Sequence, residues 1–338
     1  MSNILLIYFS GTGITQHYAS LIREQFEKRG NCCDLIDLEE MTDLPTLWQK
    51  KPVALNYTIN AEAKRPLSKY PWPYHDLKRA LRSAWENPLF SSLPADWEKY
   101  DLIGFGSPVY AFRPAPVMIR FLLDLPVFNK QTRAFSFATH DGAQGDYELF
   151  MKYVLDRKGF NYVGHLDQSF IYSASYVLRK RCDHLKAGLL LAKKNRQAQV
   201  EINSFIDYID SFNSDSNYHY PGPGTLSKLA GIPYRLLYSY GIDFLLNHFL
   251  FGFGINKDDC ILCMTCVNQC PQGLIELDDD GYPIRLYHCM YCLRCLNWCP
   301  TGALYFSQAT KGKAGFPGLE VLEDAVQQKD REKKLSRT

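Results

Sequence analysis

Several things are scarce in these 338 residues, and each scarcity excludes something. The longest apolar stretch beyond the amino terminus, Phe244 to Ile255, is interrupted by Asn247 and His248. That falls short of the roughly 18 apolar residues a membrane span requires, so membrane contact is not expected. A secretory leader is not apparent either. Met1-Ser2-Asn3 runs straight into the apolar run Ile4 to Phe9, which is too short for a signal core and has no basic residue before it. A cytoplasmic protein is expected. Charge of one sign is missing: 38 Lys and Arg against 36 Asp and Glu leave a net +2, which gives no electrostatic argument for nucleic-acid binding. With 46% hydrophobic and 22% charged residues the chain is not of disordered composition, and its length suggests about two domains. No acid–base pair or nucleophile motif of an enzyme stands out.

Cysteine, in contrast, is plentiful and ordered. Eight of the eleven fall between Cys260 and Pro300, in two near-identical runs. The first is Cys260-Ile-Leu-Cys263-Met-Thr-Cys266-Val-Asn-Gln-Cys270-Pro271, the second Cys289-Met-Tyr-Cys292-Leu-Arg-Cys295-Leu-Asn-Trp-Cys299-Pro300. Each reads C-x2-C-x2-C-x3-C-P. Zinc sites also use C-x2-C pairs, but two sets of four with a following proline are unusual for them. Disulfides need an oxidising compartment, to which nothing points. Cys32, Cys33 and Cys182 lack metal-ligand spacing and read as small buried hydrophobes.

Residue for residue, both runs resemble those of the bacterial 2[4Fe-4S] ferredoxins. Three thiolates at this spacing can wrap three corners of a cubane, and the fourth, before the proline, reaches the other cluster in that family. The resemblance implies one cluster on Cys260, Cys263, Cys266 and Cys299, and a second on Cys289, Cys292, Cys295 and Cys270. Thr301 to Phe306 matches the closing strand of such a domain.

At the other end, Ile4 to Phe9 is followed by Ser10-Gly11-Thr12-Gly13-Ile14-Thr15 and then by a helix-period segment. This predicts a buried parallel strand, a small-residue turn and a helix, with backbone N–H groups converging on an anion. No lysine follows in the turn, so it is not a G-x4-G-K-[ST] loop, nor is it G-x-G-x-x-G. Further strands are expected at Cys33 to Leu38, Asp101 to Gly106, Arg133 to Thr139 and Asn161 to Ile171. Helices are expected at Pro116 to Leu123, Asp146 to Lys158 and His184 to Phe212. Alternating strands and helices mean a doubly wound parallel sheet with ligands at its carboxyl ends.

The [ST]-x-T-G-x-T turn resembles the phosphate loop of flavodoxins, with Ile14 where many relatives have Asn. The resemblance implies FMN, its phosphate held by Ser10, Gly11, Thr12, Gly13, Ile14 and Thr15. It implies a ring flanked by the loop after the third strand (Ser107, Pro108, Val109, Tyr110, Ala111, Phe112), with Tyr110 as the stacking aromatic. A glycine-bearing loop after the fourth strand (Thr139, His140, Asp141, Gly142 and Gly145) closes the other side.

The expected organisation is therefore an α/β, flavodoxin-like five-stranded domain over 1–212, interrupted by a proline- and tryptophan-rich insertion at 41–100. A linker and docking segment (213–254), a small α+β dicluster ferredoxin-like domain (255–308) and a carboxyl-terminal tail (309–338), whose charge-rich finish reads as a solvated helix or tail, follow. The whole resembles a flavodoxin–ferredoxin fusion, a family of anaerobic electron carriers. That implies a relay between one- and two-electron partners, such as a ferredoxin or an oxidoreductase, without a catalytic residue of its own. The competing expectation is a flavin-dependent reductase whose small substrate sits under the 41–100 segment. A flavin-loaded regulatory module would not need eight cluster ligands.

Overall fold

The computed structural model describes residues 1–41, 96–110, 113–129, 132–140, 144–170, 183–211, 253–285, 290, 292–306, 310–311 and 315–335. The insertion, but for its ends, and nearly all of the linker lie outside these residues, as do Ala111, Phe112, Asp141, Gly142, Cys182 and Cys289.

The amino-terminal sheet has five parallel strands: β1 (Asn3–Tyr8), β2 (Cys32–Asp37), β3 (Leu102–Tyr110), β5 (Arg133–His140) and β6 (Asn161–Ser169), in the order β2-β1-β3-β5-β6. With β4, a two-residue flange (Arg113–Pro114) pairing antiparallel with the end of β3, set aside, this is the flavodoxin-like order with the switch point between β1 and β3. Helices α1 (Ile14–Lys28), α2 (Pro116–Asp124), α3 (Tyr147–Arg157) and α4 (His184–Ser211) cover it.

The sheet is buried on both faces, which is why its strands read as continuous apolar runs. Within β1 the side chains alternate between two cores. Leu5 and Ile7 join Phe105, Met118, Phe121 and Met151 on the α2/α3 face. Ile4, Leu6 and Tyr8 join Tyr18, Ile22, Phe205 and Ile206 on the α1/α4 face. Gly104 and Gly106 are glycines because the rings of Phe135 and Phe137 on the neighbouring strand lie where their β-carbons would be.

One boundary differs from expectation. The Ser107 to Tyr110 segment is not a loop; β3 continues through it. Its extension is held by Tyr147, buried in the core, whose hydroxyl accepts from the Ser107 N–H at 2.9 Å and donates to the Phe137 carbonyl at 2.8 Å. The Ser107 hydroxyl accepts in turn from the Ala115 N–H at 3.0 Å, fixing the start of α2.

The second unit holds the cysteine runs. It comprises β7 (Gly254–Ile255), α5 (Thr265–Asn268), the hairpin β8 (Ile275–Leu277) and β9 (Pro283–Arg285), α6 (Arg294–Asn297) and β10 (Leu304–Tyr305), which pairs with β7. Met264 (φ 61°) and Leu293 (φ 60°) occupy equivalent places, each directly before a one-turn helix. The left-handed backbone costs a non-glycine residue about 1–2 kcal/mol and is kept at both places, so the two runs share one turn geometry.

The carboxyl terminus is not a free tail. Past the ferredoxin-like unit, the Phe316 N–H donates to the Asn297 Oδ1 at 2.8 Å, and the Phe316 ring enters the α1/α4 core. Helix α7 (Leu319–Leu335) then lies along α4, with Leu322 fully buried. Its charged residues face solvent, but an apolar stripe straps the second unit to the first. Among the described residues no helix is long and apolar enough to cross a membrane.

Candidate functional site

Two cavities lie where the sequence places its motifs. The first opens at the carboxyl ends of the sheet and is lined by Ser10, Gly11, Thr12, Ile14, Thr15, Pro108, Tyr110, Thr139, His140 and Phe170. Three separate segments of the chain thus converge, as a doubly wound sheet brings them together at its switch point. Helix α1 starts from Gly13 (φ 88°) with no side-chain cap and no acidic residue in its first turn. Its leading N–H groups therefore remain available to an anion. The Ser10 Oγ accepts from the Gly13 N–H at 3.1 Å, and Thr15 and Thr139 share a buried 2.7 Å hydroxyl–hydroxyl bond that joins this turn to β5.

Gly11 is held to glycine by its neighbours: a β-carbon there would meet the Tyr110 hydroxyl and lie 3.3 Å from the Cβ of Cys292. His140, buried, has its Nε2 2.9 Å from the Asp167 carboxylate. Burial would raise the Asp167 pKa, but the hydrogen bond from His140 and the charges of His165 and His140 outweigh it and hold the carboxyl below its ordinary range. Asp37, at the end of β2, goes the other way: burial, with Glu39 and Glu40 nearby, pushes it up to about 6. Of the expected phosphate and ring residues, Gly13, Ser107, Val109 and Gly145 do not line the cavity, although Gly13 sets the helix start and Ser107 is turned into the core toward Tyr147. Phe170 and Asp167, at the end of β6, were not foreseen.

The second cavity is in the ferredoxin-like unit, and its wall includes Cys260, Cys263, Cys266 and Cys299. Those four come from both runs, the crossed set that the resemblance implies. Burial, and then the nearby Cys299 sulfur, push the Cys266 thiol up to about 11, against a hydrogen bond from the Val267 N–H. The Thr265 hydroxyl lies 3.3 Å from the Cys263 sulfur, and hydrogen bonding from Thr265 lowers that thiol. Cys266 thus feels the sulfurs of Cys299 and Cys263, and metal ligation would favour the thiolate form, although among the described residues no three cysteines, histidines or carboxylates are gathered closely enough around one point to hold an ion.

The other set sits differently. Cys292 and Cys295 are buried, whereas Cys263 is exposed and Cys260, Cys266 and Cys299 are half-buried. Cys270 accepts from the Leu274 N–H at 3.3 Å. Met290 and Cys292 belong to the same core as Leu5, Ile7 and Phe9, so the second run is packed into the first domain. Between its cysteines stands Arg294, where the first run has Thr265. Its Nε donates to the Gly11 carbonyl and its Nη2 to the Ser10 carbonyl, both at 2.6 Å. The guanidinium is also paired with both carboxylate oxygens of Glu39, with Nη1 to Oε2 at 2.8 Å. Removing one member of such a pair typically costs about 3–5 kcal/mol when the other stays buried. A charge inside a cysteine run was the only sequence signal for this contact.

Residues 259–303 match the family model of the 4Fe-4S dicluster domain. No curated protein matches the sequence. Among solved structures, an NADH:FMN oxidoreductase in its apo form is 16% identical, over 66% of this chain and 97% of its own, with a TM-score of 0.35. A flavoprotein from Bacteroides eggerthii is 18% identical over 63% and 100%, with a TM-score of 0.33. Oxidised flavodoxin 1 from Bacillus cereus is 12% identical over 63% and 100%, with a TM-score of 0.31. Likenesses this distant decide nothing, and the flavodoxin-like fold rests on the strand order of the sheet itself.

The chain thus joins a flavodoxin-like α/β sheet to an iron–sulfur dicluster domain. That combination is consistent with a flavodoxin–ferredoxin fusion.

Proposed function

We propose that this protein is an electron-transfer protein that holds FMN in the amino-terminal cavity and two [4Fe-4S] clusters on the eight cysteines, and exchanges electrons with redox partner proteins. When bound, the clusters supply one-electron centres and FMN a centre that takes one or two. The observation that carries the reading is the contact between sites: Cys292 and Arg294 of the second cysteine run lie directly on the Ser10–Gly11 turn. A fold that kept the two groups for unrelated purposes would have no reason to bury a cluster run there.

Each residue has a part in this. The uncapped start of α1 and the hydroxyls of Ser10, Thr12 and Thr15 bind the phosphate. Pro108, Tyr110, His140 and Phe170 wall the space above it and exclude water. Cys260, Cys263, Cys266 and Cys299 hold the outer cluster, and Cys270, Cys292 and Cys295, with Cys289, the inner one. Protein purified without oxygen should carry about eight iron atoms and one FMN per chain, with absorbance from both. Colourless protein that takes up neither group on reconstitution would end the proposal.

A further inference from the structure

The turn at 10–15 contains no cationic side chain, and an anion site without a cation depends on aligned N–H groups together with its hydroxyls. Arg294 supplies what aligns them. A trans peptide is planar, and its C=O and N–H point in opposite directions. The guanidinium binds the carbonyls of Ser10 and Gly11, and these belong to the same peptides as the N–H groups of Gly11 and Thr12. Holding both carbonyls toward the ferredoxin-like unit therefore aims both N–H groups away from it. The charge at the carbonyls also polarises those N–H groups, as linked hydrogen bonds reinforce one another. Glu39, just past β2, fixes the guanidinium plane through both of its oxygens, and Arg294 is itself buried.

We propose that Arg294 makes the phosphate site a two-domain site. The ferredoxin-like unit, through the residue immediately before Cys295, sets the turn in its anion-binding form, so flavin occupancy and the seating of the inner cysteine run are one linked equilibrium. Arg294 is a positioning residue and touches no cofactor. The inference rests on the FMN reading above and adds to it which part of the chain governs FMN affinity.

The test uses the full chain, prepared anaerobically, with iron per chain checked in every variant. FMN is titrated into flavin-free protein and followed by the quenching of its fluorescence. Arg294→Gln raises the dissociation constant at least tenfold at unchanged iron content. Arg294→Lys, which keeps the charge but loses the fork, falls in between. Glu39→Gln, which disturbs neither cysteine run nor turn, raises it about threefold. A dissociation constant within twofold of the native value in both Arg294→Gln and Glu39→Gln overturns the proposal. Amide hydrogen exchange on the flavin-free protein supplies an arm independent of FMN. In Arg294→Gln the amides of 11–13 exchange at least tenfold faster, while those of 4–7 in β1 stay protected. Unchanged exchange at 11–13 defeats the lock even if FMN proves not to be the ligand, and faster exchange without any FMN binding defeats only the flavin reading.

Discussion

His140 and Asp167 stand 2.9 Å apart at the carboxyl ends of adjacent strands, imidazole to carboxylate, with His140 forming part of the cavity wall. The pair ties β5 to β6 at the level of the candidate flavin site, and the Phe170 N–H donates to the His140 carbonyl at 3.1 Å just above it.

This pair gives the protein an acid-sensitive contact. The Asp167 carboxyl is depressed in the folded chain despite its burial, chiefly by the hydrogen bond from His140. A depressed carboxyl stabilises the fold above its unfolded value near about 4, and the contribution is lost as pH falls through the lower folded value. Replacing His140 by Phe removes the largest of the effects that oppose burial, leaving the charge of His165 and a backbone hydrogen bond. The variant should lose about 1–2 kcal/mol at pH 7 and show a shallower decline than the native protein as pH is lowered below about 4. Urea unfolding at a series of pH values measures both. Parallel pH profiles for the two proteins would show that the pair does not hold Asp167 down.

The carboxyl-terminal strap offers a second test. Gly188 of α4 lies against the Leu322 carbonyl and Val326 of α7, so closely that no β-carbon fits. Gly188→Val forces the helices apart, an overpacking that costs about 1–3 kcal/mol. Trypsin should then cut within 319–335 at least several-fold faster, while the absorbance of the iron–sulfur domain is kept. Equal cutting rates would mean that α7 is held by contacts other than this crossing.

Much of this was legible because it is local. An apolar run, a small-residue turn and a helix period specify β1 and α1 within 28 residues, and cysteine spacing specifies its cavity without reference to anything else. What was not legible depends on distant partners. Arg294 and Glu39 are 255 positions apart, and neither carries a motif. The continuation of β3 to Tyr110 depends on Tyr147, a buried hydroxyl that no local pattern around Ser107-Pro108 announces. The docking of helix α7, though not the option of a helix there, was hidden by its own composition. The charges dominate, although Leu319, Leu322 and Val326 already mark one face at helical spacing.

The two cysteine sets differ most in access, and that difference assigns them different work. Cys263 is exposed, and Ile261 and Leu262 beside it are 63% and 48% exposed, whereas Cys292 is shut against the first domain and Cys295 is buried in the core of its own unit. Among the described cysteines, a partner protein can approach Cys263 more readily than Cys292 or Cys295. Cys263→Ala should therefore lower the iron content by about half and leave FMN bound. Reduction of the bound flavin by a reduced external ferredoxin, followed by stopped-flow absorbance, should slow at least tenfold. Electron paramagnetic resonance of the reduced variant should retain the signal of a single cluster, since its inner ligands are untouched. Cys292→Ala should likewise slow flavin reduction, but with the outer cluster retained. If Cys263→Ala loses its iron and yet reduces flavin at the native rate, electrons enter at the inner cluster or at the flavin directly, and the exposed lip around Cys263 is not the port.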